Sequence, residues 1–132
     1  MTHPNEQVVR DYLRAFSGRD LDRVAELIAD DIVIHFPGRN PIAGEKRGKE
    51  DVLSFYRGMM QRAGVGGEPP DVHDVLANDE HVVVLATRKI AGIDASVAVV
   101  YHVRDGKVTE VWWHERDQYA VDEALAAALQ RR

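Results

Sequence analysis

The stretch HVVVLATRKIAGIDASVAVVYHVRDGKVTEVWWHER, residues 81–116, decides the fold. Apolar β-branched and aromatic residues recur with period two over His81 to Ile90, Ala95 to Val103 and Val108 to Arg116, as in strands buried on one face. Asp105-Gly106, between the last two, is a two-residue hairpin signal, because the tight turn that matches strand twist needs positive φ at both positions. Asn78-Asp79-Glu80 marks a second turn, and Val72 to Leu76 before it supplies a further strand. The second half of the chain is therefore expected to form short antiparallel hairpins.

Upstream the period is helical. Asn5 is expected to cap a first helix with Val8, Val9, Tyr12, Leu13 and Phe16 on one face, ended by Ser17-Gly18. Asp20 caps a shorter second helix with Leu21, Val24, Ala25, Leu27 and Ile28 inward, and Asp30-Asp31 separate it from the strand Ile32-Val33-Ile34. That strand delivers His35 and Phe36 to a loop from Pro37 to Gly48, in which Pro37, Gly38, Pro41 and Gly44 fix an irregular path. A third helix is expected from about Lys49 to Ala63, with Val52, Tyr56, Met59, Met60 and Ala63 on one stripe and Leu53 beside it, broken by Gly64 to Pro70. The tail from Gln118 to Leu129 reads as a last helix in which Tyr119, Val121, Ala124, Leu125, Ala128 and Leu129 pack, with Arg131 and Arg132 suiting its C-terminal end. Helices followed by antiparallel strands predict an α+β fold, one domain over residues 1–132, with helices on one face of a curved sheet and a concave pocket between them.

Bulk properties narrow the function. The 132 residues contain no cysteine, which excludes disulfides, thiolate metal sites and cysteine nucleophiles. The formal charge of -5 is spread along the chain, and the only short basic group, Lys46, Arg47 and Lys49, reads as a solvated loop, so no nucleic-acid partner is expected. The N-terminus lacks the pattern of a leader, and no apolar run approaches the roughly 18 residues of a membrane span, so a cytoplasmic protein without a membrane partner is expected. No two of the six histidines stand two or four apart, and no phosphate loop, dinucleotide fingerprint or nucleophile elbow occurs, so neither metal nor cofactor is expected.

The element order resembles that of the nuclear transport factor 2-like fold. Three segments bring the resemblance to its SnoaL-like, ketosteroid-isomerase-like branch: His35 to Gly44 with Arg47-Gly48 after it, Val72 to His81, and Trp112 and His114 followed by Asp117-Gln118-Tyr119. The resemblance implies a cone-shaped curved antiparallel sheet wrapped around three N-terminal helices, with a short C-terminal helix. It further implies an open end that holds a small, largely apolar ligand, and a homodimer through the outer face of the sheet. Isomerases, cyclases, hydrolases and dehydratases occur in this group. Steroid isomerisation is not carried over: Tyr12 matches a tyrosine on the first helix, but Val33 to Phe36 offers an imidazole where a carboxylate base is needed. The Asp-Arg-Asp set of limonene-epoxide-hydrolase-type enzymes is not found either.

Strand alternation puts Trp112 and His114 on one face and Val111, Trp113 and Glu115 on the other. Trp112 and His114 are assigned to the pocket. His114 is then either a general base oriented by Asp117 or a brace for a neighbouring loop. His35, ending a buried strand, needs a partner, for which His114, Asp117 and Asn40 are the candidates; it is either a second base or a pin for the Pro37 to Gly44 loop. Arg39 either holds a carboxylate or enolate oxygen or is an exposed loop residue. Tyr12, Phe16, Phe55, Tyr56, Met59 and Met60 are expected between helices and sheet, as core or as pocket lining, with the hydroxyls of Tyr12 and Tyr56 available to a ligand oxygen. His73 and His81 decorate a hairpin, and His102 lies on the outer face.

Three functions follow. One is a cofactor-independent isomerase, cyclase or lyase acting on a small hydrophobic carbonyl compound by His-mediated proton transfer. Another is a ligand-binding protein with the same pocket and no turnover, and the third is a dimerisation domain with Trp113, Val111 and Val100 at the contact. Convergence of His35, His114 and Asp117 on one cavity would separate chemistry from loop bracing.

Overall fold

In the computed structural model, which describes residues 2–62 and 69–130, α1 (Pro4–Ser17) begins at a proline whose missing N–H is no loss in a first turn. His3 caps it, Nδ1 accepting the Asn5 N–H at 3.0 Å. Asn5, the expected cap, instead donates from its side chain to the carbonyls of Asn78 and Asp79, each at 3.0 Å, and ties α1 to a hairpin turn. Asp20 caps α2 (Leu21–Leu27) as the sequence indicates, accepting the Arg23 N–H at 3.1 Å.

β1 (Ile28–Phe36) follows without a break, and its register shifts between Ile28 and Val33, so the exposed Asp30 and Asp31 fall inside the strand rather than ahead of it. β2 (Gly44–Arg47) was read as loop from its glycine and charges; it pairs antiparallel with β1, Val33 opposite Arg47 and His35 opposite Glu45. α3 (Lys49–Met60) buries Val52 and Tyr56. It ends at Met60, with Gln61 and Arg62 already in a turn, short of the expected end near Ala63; Ala63 itself, the break over residues 64–68 and the basic end at Arg131 and Arg132 lie outside the described residues. Then come β3 (Asp71–Ala77), β4 (His81–Ile90), β5 (Ile93–Arg104), β6 (Lys107–Glu115) and α4 (Gln118–Gln130). Asp105 and Gly106 turn at φ +54° and +75°, the hairpin geometry read from the sequence.

The six strands form one curved, unclosed sheet in the order β2-β1-β6-β5-β4-β3. Its ladders are antiparallel except β1 with β6, which run parallel. A hairpin forces antiparallel pairing, whereas α3 and four strands separate β1 from β6 and leave its direction free. Ile32 and Ile34 of β1, Val82, Val84 and Ala86 of β4, Val97, Val99, Tyr101 and Val103 of β5 and Val111 of β6 are buried with Val9, Tyr12, Val24, Val52 and Tyr56 of the helices. Each fully buried Val or Ile contributes about 1.5–3 kcal/mol over exposure, so this inner face is what holds helices to sheet. A smaller cluster of Ile90, Ala95, Val121 and Leu125, joined by Ile42 and Met59, seats α4 on the far end of β4 and β5. Tyr119, expected to pack there, is 88% exposed. Among the described residues no helix is long and apolar enough to cross a membrane.

Candidate functional site

Between α1, α3, α4 and the inner face of the sheet lies a cavity of about 140 Å³. Phe16, Phe55, Tyr56 and Met59 line it from the helices, Val84, Ala86, Val97, Val99, Tyr101 and Trp113 from the sheet, and Val121 and Leu125 from α4. Its size is close to that of cavities that take up a single benzene ring. An apolar wall with few polar groups is the usual composition of a small-molecule site.

Those polar groups are specific. Arg88 of β4 and Glu115 of β6 form a bidentate pair across β5, Nη1 to Oε1 at 2.9 Å and Nη2 to Oε2 at 2.7 Å. The Glu115 side chain is 3% exposed and that of Arg88 15%, and the guanidinium also lies 4.9 Å from the centre of the Trp113 ring. Tyr12 and Tyr56 meet hydroxyl to hydroxyl at 2.5 Å. Burial pushes all three phenols, Tyr12, Tyr56 and Tyr101, above their ordinary range, and for Tyr12 the neighbouring Tyr56 adds to it. The phenols are therefore neutral donors. Either hydroxyl can donate in this pair, and Tyr56 is the member of it that lines the cavity. The indole Nε1 of Trp113 is buried and has no partner among the described residues.

The rim is tied down by α4. The Asp122 carboxylate accepts from the Asn40 side chain at 2.8 Å, the Arg39 backbone N–H at 3.0 Å and the Gln118 side chain at 2.9 Å. Burial raises its pKa, but the hydrogen bonds from Asn40, Arg39 and Gln118, with the Arg39 charge, outweigh that and leave it below the ordinary value of 3.8. Gly38, at φ +90°, passes so close that a Cβ would stand 2.2 Å from the Asp122 Oδ1 and 2.3 Å from the Gln118 Nε2. This is why the Pro37 to Gly44 path is irregular: it docks on a helix end.

Of the residues singled out in the sequence, Phe16, Phe55, Tyr56 and Met59 line the cavity, while Tyr12 stands behind Tyr56 and packs edge-on against Tyr101. His35, His114 and Asp117 do not converge on it. The alternation in β6 was read correctly but in the wrong phase: Trp113 and Glu115 line the cavity, and Trp112 and His114 lie on the opposite face. Buried Val111 shares the phase of Trp113, which also removes Val111 and Trp113 from the outer contact expected of them. His35 stacks on Trp112, ring centres 5.7 Å apart, with Nε2 2.5 Å from Glu110 and Nδ1 3.2 Å from Glu45. Its partners are thus two outer-face carboxylates rather than His114, Asp117 or Asn40. His114 is exposed in a shallow groove with His73, and Asp117 caps α4, accepting the Ala120 N–H at 3.1 Å. The Arg39 side chain is exposed, and only its backbone N–H takes part in the rim. Arg88 and Glu115 were missed, although both share the phase of buried neighbours, Arg88 with Val82, Val84 and Ala86 and Glu115 with Val111. Among the described residues no cluster of three metal-ligating side chains occurs.

Solved structures carry the same architecture. The chain is similar to Bal32a from a soil-derived mobile gene cassette (26% identity, TM-score 0.79, covering 92% of this chain and 96% of that one). A nuclear transport factor 2-like protein of unknown function from Burkholderia pseudomallei is 23% identical, with a TM-score of 0.79 over 94% of this chain and 98% of that one. A candidate ketosteroid isomerase from Kribbella flavida is 21% identical, with a TM-score of 0.71 over 86% of this chain and 78% of that one. No curated protein matches the sequence. The SnoaL-like domain model matches residues 9–111, most of the helices and the sheet that enclose the cavity, and the chain belongs to the SnoaL-like domain family.

Proposed function

We propose that the protein binds a small, largely apolar molecule in the cavity beneath α4. One observation supports this above the others: the wall is predominantly apolar, and the buried charges on it, Arg88 and Glu115, satisfy each other. Proton transfer by His35 or His114 has no support from their positions, since both stand on the outer side of the sheet. An isomerase or lyase reaction would draw instead on the neutral phenols, with Tyr56 donating to a developing oxyanion. The likeness to a candidate ketosteroid isomerase fits such chemistry but supplies no carboxylate base, because Glu115 is held by both its oxygens. Titrating a panel of one-ring apolar compounds while following the thermal midpoint tests the binding; the midpoint rises with ligand concentration if the cavity is a site. No rise with any of them, and no perturbation of Phe16, Phe55 or Met59 in nuclear magnetic resonance spectra, would overturn it. Turnover of a bound compound that is lost in Tyr56→Phe would make the protein an enzyme, and recovery of every compound unchanged makes it a binder.

The outer face is a separate surface, and its exposed apolar residues favour a second role. Leu76 is 52% and Leu85 38% exposed there, on the same face as Val100 and Trp112. We propose that a second copy of the chain covers it. Sedimentation of the wild type as a dimer and of Leu85→Glu as a monomer is expected; a monomeric wild type at micromolar concentration refutes this.

A further inference from the structure

Tyr101 of β5 lines the cavity and is 2% exposed, its ring packed edge-on against Tyr12 with ring centres 5.8 Å apart. Its hydroxyl has no hydrogen-bond partner among the described residues, and among those residues the Trp113 indole nitrogen is the one side-chain polar atom both unpartnered and sealed off. The Tyr101 hydroxyl therefore keeps accessible surface, and in a residue so deeply buried that surface is the cavity's. Burial and the neighbouring Tyr12 raise its pKa, with the Arg88 charge opposing, so the proton stays in place. A phenol O–H that opens on an apolar space and finds no acceptor costs the desolvation of the donor. Most other polar side chains of the wall are engaged: Tyr56 with Tyr12, Arg88 with Glu115, Asn40 and Gln118 with Asp122, and Lys89 with Asp94 at 3.0 Å. Ser17, at the end of α1, is only half-buried and stays in contact with water.

From the unpartnered Tyr101 hydroxyl on this wall and the one-ring size of the cavity, we infer that the ligand is a one-ring apolar compound carrying an oxygen that accepts the Tyr101 hydrogen bond. This rests on the binding role proposed above and adds to it the size and hydrogen-bonding class of the ligand, with Tyr101 as the residue that discriminates. A hydrocarbon of the same shape fits the wall but leaves the O–H unpaired, and a site with a buried polar group penalises the analogue that cannot satisfy it. The charges on the wall, Arg88 with Glu115 and Lys89 with Asp94, act alike on two uncharged compounds and do not decide between them.

Acetophenone and ethylbenzene share a ring and a two-carbon arm and differ in the carbonyl oxygen. Calorimetric titration of each into the wild type and into Tyr101→Phe, which keeps the ring against Tyr12 and removes only the hydroxyl, separates the claims. The wild type is expected to bind both, acetophenone the more tightly. The substitution should weaken acetophenone roughly three- to ten-fold more than it weakens ethylbenzene, the range of one net hydrogen bond. The infrared carbonyl stretch of bound acetophenone should lie below its value in hexane and move back towards it in Tyr101→Phe, a shift that a purely structural role of Tyr101 would not produce. An equal effect of the substitution on both compounds, or a carbonyl stretch that it leaves unmoved, overturns the inference while leaving the cavity a binding site. Failure of both compounds to bind the wild type refutes the binding role itself. Should Tyr101→Phe not fold, the wild type decides: the lowered carbonyl stretch must be accompanied by nuclear Overhauser contacts from the acetophenone methyl group to the Tyr101 ring, and the absence of either overturns the assignment.

Discussion

Replacing Glu115 by Gln keeps the shape of the side chain and removes its charge, which makes it the sharpest probe of the cavity wall. In the folded protein the carboxylate closes two charge-assisted hydrogen bonds of 2.9 and 2.7 Å with Arg88 and is itself 3% exposed. The variant leaves a guanidinium over the Trp113 ring with one acceptor oxygen where it had two, and the amide NH₂ faces another donor. Breaking a buried pair from one side costs about 3–5 kcal/mol. The lower end applies, because Arg88 retains 15% exposure and the amide oxygen still accepts one bond. For a domain of 132 residues about 3 kcal/mol lowers the thermal midpoint by roughly 10 °C. Urea unfolding at neutral pH measures the loss directly, with an unchanged slope confirming that the unfolded state is not altered. The double variant Arg88→Met with Glu115→Leu removes both charges and should sit within about 1 kcal/mol of the wild type, since no uncompensated ion remains. Benzoate should stabilise Glu115→Gln and not the wild type, the vacated partner of Arg88 being replaced by the ligand. A Glu115→Gln loss below about 0.5 kcal/mol would show that the pair is solvated and that the cavity is not the low-dielectric site described.

Two further outcomes test the rim. Gly38→Ala should cost about 2–3 kcal/mol in urea unfolding, because φ +90° is unfavourable to any Cβ and the added carbon meets Asp122 and Gln118 at 2.2 and 2.3 Å; a neutral effect would mean that the loop does not dock on α4. The Asp122 carboxyl titrates below 3.8 in the folded state, so its stabilisation is complete above that pH and is lost as the pH falls through the folded value. Asp122→Asn, about 1 kcal/mol less stable than the wild type at pH 7 at this half-buried position, should therefore approach it as the pH is lowered from 5 towards 2.5; a gap that widens on acidification refutes the hub.

Much of the fold was legible because its determinants are local. Period-two alternation, Asp105-Gly106 and the Asp20 cap each act within a few residues and gave the hairpins and α2 in nearly their observed bounds. β2 was not legible, since Gly44 to Arg47 has no strand propensity and is held only by pairing with β1, a tertiary cause. Nor was the parallel ladder between β1 and β6, which no turn specifies. The apolar half of the site was readable from helical stripes, as Phe16, Phe55, Tyr56 and Met59 show. Its polar half depended on the phase of a single strand. Trp-Trp at 112–113 offers an aromatic to either face, and assigning the imidazole to the pocket settled the phase the wrong way; Val111, apolar and buried, carried the correct one.

That phase also explains why histidines gather on the outside. From Glu110 to Glu115 the inner phase supplies Val111, Trp113 and Glu115, and the outer phase supplies Glu110, Trp112 and His114. Each Trp stacks with a group that a carboxylate holds: Arg88 on Trp113 is held by Glu115, and His35 on Trp112 is held by Glu110. The inner version has no imidazole and lies against α4, which lines the same cavity with Val121 and Leu125. The outer version places His35 between two carboxylates in partial contact with water. A one-residue slip of β6 would exchange the two sets, bringing His114 and Glu110 inward and stranding Arg88 without its partner. The buried Arg88–Glu115 pair therefore fixes the register of the strand as well as the charge of the wall, and the first cost of breaking it falls on the fold before it falls on the ligand.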